Sequence, residues 1–428
     1  MRCPAPALFC ACSFLCLPFS VPALFGAYPG QMVYLDHAAT TDLRPESRQA
    51  WLNAAQIAGN PSSLHQHGRA ARRLVEESRE RAAAALGVPP STLVFTSGGT
   101  ESDNLAIVGA VATRRGQSIG RPLVVLPPSE HKAVLEPVGA LADAGVVDVE
   151  WLGVAGDGRP TVAGLQDLLA SARDRFVLVC AMAVNNETGA VAPLADIAAV
   201  CADAMSRGDN IEIALHTDAV QALGVVPLNL SAVTTAAFSA HKVGGPMGVG
   251  LLYVDPASRI EPLARGGGHE HGLRAGTPDV PGIAAAAVAV ELAVREATEH
   301  QRLMAALRDR LLTGLAGLGL DHRVNSPDTG VPGVVNIAFP GCESDALMML
   351  LDAAGIAVST GSACTVGIPQ PSHVLTAMGR SPAEARSALR ISFGRSSRAA
   401  DVDAVLTSLP QAVTRARRAG VLTSGRPA

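Results

Sequence analysis

The chain has 428 residues, of which 17% are charged and 48% hydrophobic, with a formal net charge of −4. At roughly 100–200 residues per domain, the length points to two or three domains and a large buried core. The composition excludes a disordered chain, the charge gives no basic footprint for direct nucleic-acid binding, and no apolar run after residue 31 is long enough to span a membrane.

Residues 1–31 differ from all that follows. They hold one charged residue, several prolines and the four cysteines Cys3, Cys10, Cys12 and Cys16. A signal-like segment fits this composition. The reading taken here is a non-native extension ahead of a start at Met32, because the body of the chain has the character of a cytoplasmic protein. Cys180, Cys201, Cys342 and Cys364, the cysteines of the body, follow neither a zinc spacing nor a disulfide framework.

A short strand is predicted over 32–36, a helix opening at Pro45, and a turn at 59–63 from which Ser62 or Ser63 caps the next helix. The strand 93–96 runs into Ser97-Gly98-Gly99-Thr100 and then a helix, the order in which backbone N–H groups and a helix dipole hold a phosphate. Strands follow at 123–126, 146–152, 177–184 and 211–215, with helices between them, one over 161–172. Apolar strands alternating with helices define an α/β fold with a mostly parallel sheet covered on both faces. Functional groups in such sheets gather beyond the carboxyl ends of the strands. Thr100, His131, Asn186, Asp218, Gln221 and Lys242 all fall there.

Lys242 sits in Ser239-Ala240-His241-Lys242, between a strand and the turn at Gly244-Gly245-Pro246. A lysine between buried segments loses its charge by desolvation and becomes a nucleophilic amine, able to hold a carbonyl cofactor as a Schiff base. If that cofactor is pyridoxal phosphate, four more parts are required. Asp218 offers a carboxylate for the ring nitrogen, and His131 a flat group that also moves protons. Gly99, Thr100, Ser239 and His241 offer a phosphate cup. Arg390 or Arg274 offers a fork for a substrate carboxylate.

Beyond a Gly-rich stretch at 265–278, one long Ala-rich helical region from 281 past 312 leads into a second, smaller α+β domain. There Cys364 lies in a loop of Gly, Ser and Thr, a setting that suits a reactive thiolate better than a structural cysteine. Ser372 is predicted to cap a short helix, followed by a strand at 388–393 and a last helix from about 401.

The segments YLDHAATT, GNPSS, VFTSGGTESDNLAI, EHKAVLEP, NNETGAV, HTDAVQALG, SAHKVGGPMGVG, RGGGHEHGLRAGT, STGSACTVGIPQPSHVL and ALRISFGRSS together resemble the cysteine desulfurases. These are fold-type-I pyridoxal phosphate enzymes of the class V aminotransferase group. The resemblance implies a large cofactor-binding domain over 47–296 and a small domain made of 32–46 and 297–428 that carries the cysteine loop. It implies that Lys242 holds pyridoxal 5′-phosphate, that His131 stacks on its ring and transfers protons, and that Asp218 pairs with the ring nitrogen. Gln221 and Asn186 would lie near the phenolic oxygen, with Gly99, Thr100, Ser239 and His241 at the phosphate. Thr277 would reach the phosphate of a neighbouring subunit in a homodimer, and Asn60 and Arg390 would clamp the carboxylate of L-cysteine. Cys364 would take the substrate sulfur as a persulfide, leaving L-alanine, and pass it to an acceptor protein of iron–sulfur cluster assembly or tRNA thiolation. No metal site is implied. Ala240 stands where the group usually has Gly, and Met247 where it usually has a basic residue. The rival readings are a selenocysteine lyase on the same fold and a non-catalytic partner of sulfur-transfer proteins.

Overall fold

The computed structural model of the protein describes residues 32–114, 120–207, 211–361 and 370–424. The expectations for residues 1–31 and for Cys364 lie outside the described residues.

In chain order the elements are β1 (Val33–Tyr34), α1 (Pro45–Ala54), α2 (Gln66–Leu86), β2 (Leu93–Thr96), α3 (Gly99–Thr113), β3 (Leu123–Leu126), α4 (Lys132–Asp143), β4 (Asp148–Trp151), α5 (Leu165–Ser171), β5 (Phe176–Cys180), α6 (Leu194–Ser206), β6 (Glu212–Asp218), β7 (Thr235–Ser239) and β8 (Gly250–Val254). They continue with α7 (Val280–Arg295), α8 (Ala297–Gly317), β9 (Arg323–Val324), β10 (Val334–Ala338), α9 (Ser344–Asp352), β11 (Ile356–Ala357), α10 (His373–Ala377), α11 (Pro382–Arg386), β12 (Ala388–Ser392) and α12 (Ala399–Ser424).

Seven strands form one sheet in the order β2-β8-β7-β6-β5-β3-β4. Only β8 runs against its neighbours, pairing antiparallel with β2 and β7; the remaining pairs are parallel. The expected α/β, mostly parallel sheet is therefore the one found. Its inner strands are buried on both faces, the edge strand β4 is partly exposed, and alternate residues serve different cores. Leu123, Val125, Val177 and Val179 join the core that also contains Ala71 and Val75 of α2 and Ile283 of α7. Val124, Leu126, Phe176 and Leu178 point the other way, into a core with Ile107 of α3 and Val134 of α4. Each such side chain contributes about 1.5–3 kcal/mol by leaving water.

A three-stranded antiparallel sheet, β12-β10-β9, and the parallel pair β1-β11 complete the strands. Leu35, just past β1, shares a third apolar core with Leu307 and Leu311 of α8, Val335 and Ile337 of β10, and Val405 and Leu409 of α12. The N-terminal strand thus packs with the last third of the chain.

Several expectations shift. The cap of α2 is His65, whose Nδ1 accepts from Gly68 N–H, rather than Ser62 or Ser63. The helix expected over 161–172 starts only at Leu165, because Thr161 is bonded back to Gly153 through both its N–H and its hydroxyl. The run 177–184 leaves regular strand geometry after Cys180. It stays bonded to β6 through Ala181 and Ala183, then turns back so that Val184 bridges Val191. The long helical region is two helices broken at Glu296, whose carboxylate is held by Arg44 at 2.6 Å.

Candidate active site

The carboxyl ends of β5, β6 and β7 and the start of α3 enclose a cavity of about 540 Å³. It is lined by Gly99, Thr100, His131, Asn186, Asp218, Gln221, Ser239, His241 and Lys242, together with Asp103, Met182 and Val220. Sequence reasoning had singled out the first nine for chemistry.

Lys242 ends a short 3₁₀ turn, Ala240–Lys242, directly after β7. Its Nζ donates to the carbonyl oxygens of Ala38 at 2.5 Å and Ala39 at 2.8 Å. Burial, with the nearby Arg390 charge, outweighs the pull of Asp218 and Asp36 and lowers its pKa to about 8. The expected weakly basic amine is therefore the state its surroundings favour. The N-terminal segment acts as a strap over this turn. Thr41 bonds His241 O through N–H and hydroxyl, Gly244 N–H donates to Thr41 Oγ1, and Arg44 holds Gly244 O and Val243 O. The motif YLDHAATT carried no such role in the sequence reading.

Asp218 closes β6. It is buried, with Oδ1 accepting from Val220 N–H at 2.9 Å. Burial raises its pKa, while His131 and Lys242 pull it down. His131 caps α4, its Nδ1 accepting from Ala133 N–H at 3.1 Å. That bond assigns the proton of the neutral ring to Nε2. Burial lowers the His131 pKa, so the neutral form prevails.

Gly98 precedes α3, and its carbonyl accepts the first bond of the helix, from Ser102 N–H. The amides of the first turn stand free of that ladder at the cavity wall, where an anion finds donors and the positive end of the dipole. Gly99 is required by close approach, since a Cβ there would lie 2.6 Å from Val220 Cγ2. His241 lines the same wall. Its Nδ1 meets Thr40 Oγ1 at 3.1 Å, and burial beside Lys242 brings its pKa to about 4.

Gln221 donates to Ala38 O at 2.8 Å, the same carbonyl that holds Lys242. Arg390, on β12, donates to Asn186 O at 2.9 Å and to Asp36 Oδ1 at 2.7 Å, and its buried Nε has no partner. Arg390, Asn60 and Thr277 do not line this cavity. Asn60 is exposed, its Oδ1 accepting from Ser62 N–H. Thr277 is exposed on the Gly-rich stretch, which is tied down at its other end by a buried pair, Arg79–Glu270. Arg274, the alternative fork, is paired with Glu101 at 3.2 Å.

Cys364 lies outside the described residues, but both flanks of its loop are placed. Gly361 passes so close to Glu187 that a Cβ would lie 3.2 Å from the carboxylate. On the far side, Ser372 donates to Glu187 Oε2 at 2.5 Å. Glu187 follows Asn186 in sequence, so the segment carrying Cys364 leaves and returns beside the cavity. As expected, the Ser372 hydroxyl also caps α10.

Beneath the cavity, sequence reasoning missed a buried polar layer. Asp103 Oδ1 meets His216 Nε2 at 3.1 Å, and His216 Nδ1 meets Thr235 Oγ1 at 2.9 Å. Burial takes His216 down to about 3 and holds the Asp103 carboxyl well above its usual range. Glu130, bonded to Met182 N–H, is pushed up to about 8. Asp103 was hidden inside a helical run, and Glu130 just ahead of one. His216 alone, at a strand end, offered a signal.

A weakly basic lysine, a buried carboxylate, a neutral imidazole and a helix N-terminus in one cavity are the donor set of a pyridoxal phosphate enzyme, and the residues fit that group. The chain matches the aminotransferase class-V family over residues 33–405 and belongs to that family, whose members use this cofactor. It is 45% identical to an IscS-like cysteine desulfurase of Mycobacterium tuberculosis, a match covering 92% of this chain and 99% of the relative. It is 37% identical to a cysteine desulfurase IscS of Methanosarcina thermophila, over 91% of this chain and 94% of that one. Among solved structures, a NifS-like protein superposes with a TM-score of 0.81 at 34% identity, covering 90% of this chain and all of the other. Among the described residues, no helix is long and apolar enough to cross a membrane, and no group of three or more His, Cys, Asp or Glu side chains is placed to hold a metal ion.

Proposed function

We propose that the protein is a cysteine desulfurase that takes sulfur from L-cysteine, yields L-alanine and carries the sulfur as a persulfide on Cys364. One observation carries the reading: the lysine, carboxylate, imidazole and helix start converge on one cavity, and the flanks of the Cys364 loop meet at Glu187 beside it.

Lys242 holds the cofactor aldehyde, its neutral amine made accessible by burial. Asp218 would hold the ring nitrogen, and a protonated pyridine there would supply the positive partner that a buried carboxylate needs. The first turn of α3, with Thr100, Ser239 and His241, takes the phosphate, and Gln221 and Asn186 take the phenolic oxygen. When bound, pyridoxal phosphate supplies a ring that delocalises negative charge drawn from the substrate. His131 moves the proton at Nε2, with Nδ1 committed to Ala133. The orphaned Nε–H of Arg390, with Asn60, receives the substrate carboxylate. The thiolate of Cys364 bonds to the substrate sulfur as the Cβ–S bond breaks. That bond's electron pair stays on carbon, which is protonated to give alanine.

We also propose a homodimer in which Thr277 reaches the partner's phosphate, a reading supported by its exposure on a stretch anchored at Glu270. The small unit of 32–46 and 297–428, set against the large unit 47–296, is supported by the core that Leu35 shares with α8 and α12. A cytoplasmic location and delivery of sulfur to an iron–sulfur scaffold or a tRNA-thiolating enzyme complete the reading.

The test is sulfide release from L-cysteine with a thiol reductant, for wild type and Cys364→Ala, beside selenide release from selenocysteine. Sulfide that vanishes in the variant while the cofactor's yellow colour remains upholds the reading. Selenide alone, or sulfide release indifferent to the substitution, replaces it with a selenocysteine lyase.

A further inference from the structure

A second cavity, of about 890 Å³, lies on the other side of Lys242 and shares Lys242 and Gln221 with the first. Nothing in the desulfurase reading uses it.

Its walls hold two acids, and both are engaged. Asp42 accepts from Ser396 Oγ at 2.7 Å, and Glu296 pairs with Arg44 at 2.6 Å. The donors are less well served: His37 and His300 are imidazoles that burial keeps neutral, and Arg395 is an exposed side chain. His37 is 5% exposed, and neither of its ring nitrogens has a hydrogen-bond partner. Its ring is fixed against Gly394, where a Cβ would collide with Nδ1. Leaving a buried polar group unpaired costs about 1–3 kcal/mol. His300 and Arg395 also line the cavity, and neither side chain makes a hydrogen bond or ion pair with a described residue. The groups are close enough to repel: beyond burial, His300 is depressed by Arg44, His37 and Arg395, against one opposing carboxylate, Glu296. Between these groups the wall is apolar, formed by Leu223, Met304 and Phe393.

We propose that this cavity binds a small organic anion, a carboxylate or phosphate ester on a short apolar body. The anionic head accepts from His37 and His300 and pairs with Arg395, and the body lies on Leu223, Met304 and Phe393. Such a ligand supplies a partner for the buried imidazole of His37, which Asp42, Asp36 and Asp401 influence only through space. Because Lys242 and Gln221 stand in the shared wall, an occupant would act on the lysine from behind, without entering the cofactor's cavity.

The experiment is calorimetric titration of the full-length, cofactor-loaded protein with hexanoate, hexyl phosphate, hexanol and inorganic phosphate. It is run on wild type, His300→Ala and Arg395→Ala, after unfolding curves show that each variant is folded. Saturable binding of hexanoate or hexyl phosphate, weakened at least tenfold in both variants, upholds the proposal; which of the two binds tighter tells a carboxylate ligand from a phosphate ester. Four outcomes overturn it: no binding, equal binding of hexanol, binding of inorganic phosphate alone, or binding that ignores the substitutions, as occupation of Arg390 would. A crystal soaked with the tighter probe tests the placement independently: density beside His37 upholds it, and density only elsewhere overturns it.

Discussion

Two buried arginines, Arg79 and Arg390, each pair with a carboxylate, and the two pairs are built differently. Arg79 and Glu270 are both 3% exposed and meet through two bonds of 2.8 Å. Arg79 also holds Leu93 O and lies over the Phe95 ring, and Glu270 accepts from Phe95 N–H. Arg390 meets Asp36 through one bond, Asp36 is 22% exposed, and the buried Nε–H of Arg390 points at no partner. The saturated pair is a fastening for the Gly-rich stretch. The unsaturated one has capacity left over, and in a buried setting leftover capacity marks a place where something else binds.

The largest expected effect tests the fastening. Glu270→Gln leaves the buried guanidinium with only the more exposed Glu76, at 3.2 Å, as counter-charge, and unfolding in urea should register a loss of about 3 kcal/mol. Arg390→Lys keeps the charge but removes the fork. Its unfolding free energy should stay within about 1 kcal/mol of wild type, while KM for L-cysteine rises about 10- to 100-fold, equivalent to about 1.4–2.8 kcal/mol. If Arg390→Lys unfolds as readily as Glu270→Gln with KM unchanged, the distinction between the two pairs fails.

Lys242 gives a smaller, pH-dependent effect. Its folded pKa of about 8 lies below the ordinary value of 10.5, so between those values the unfolded chain binds more protons and stability rises with pH. In cofactor-free protein, Lys242→Met should remove that rise. The variant should be the more stable near pH 7, by about 1–2 kcal/mol for a partly exposed amine, and the gap should close above pH 10.5. The smallest effect concerns the helix break: Glu296→Gln should cost less than about 1 kcal/mol, because Arg44 keeps its bond to Val243 O.

The lysine turn, the strand ends and the glycines at the start of α3 were legible in the sequence because each depends on local order: strand, small residues, helix start. The sheet was legible for the same reason, through apolar runs of strand length between helices. What the sequence concealed comes from residues distant in the chain. The break at Glu296 has no Gly or Pro to announce it and is held by Arg44. Asp103 and His216 meet across 113 positions, and His37 is stranded in a cavity whose walls come from both ends of the chain. Arg79 pairs with Glu76 on its own helix, but its bonds to Leu93 O and Glu270 come from distant parts of the chain.

The strap over Lys242 also sets an order of events during synthesis. Ala38 and Ala39, whose carbonyls hold the lysine, are positioned by Leu35 N–H on Ala357 O, by Ala38 N–H on the Ser392 hydroxyl, and by the bridge from Asp36 to Ser392. Nine-tenths of the chain must therefore leave the ribosome before its first described residues can settle. Lys242 is made just past the middle of translation, but the strap that holds it is among the last parts of the molecule to be completed, so its pocket belongs to the finished polypeptide and not to the nascent one.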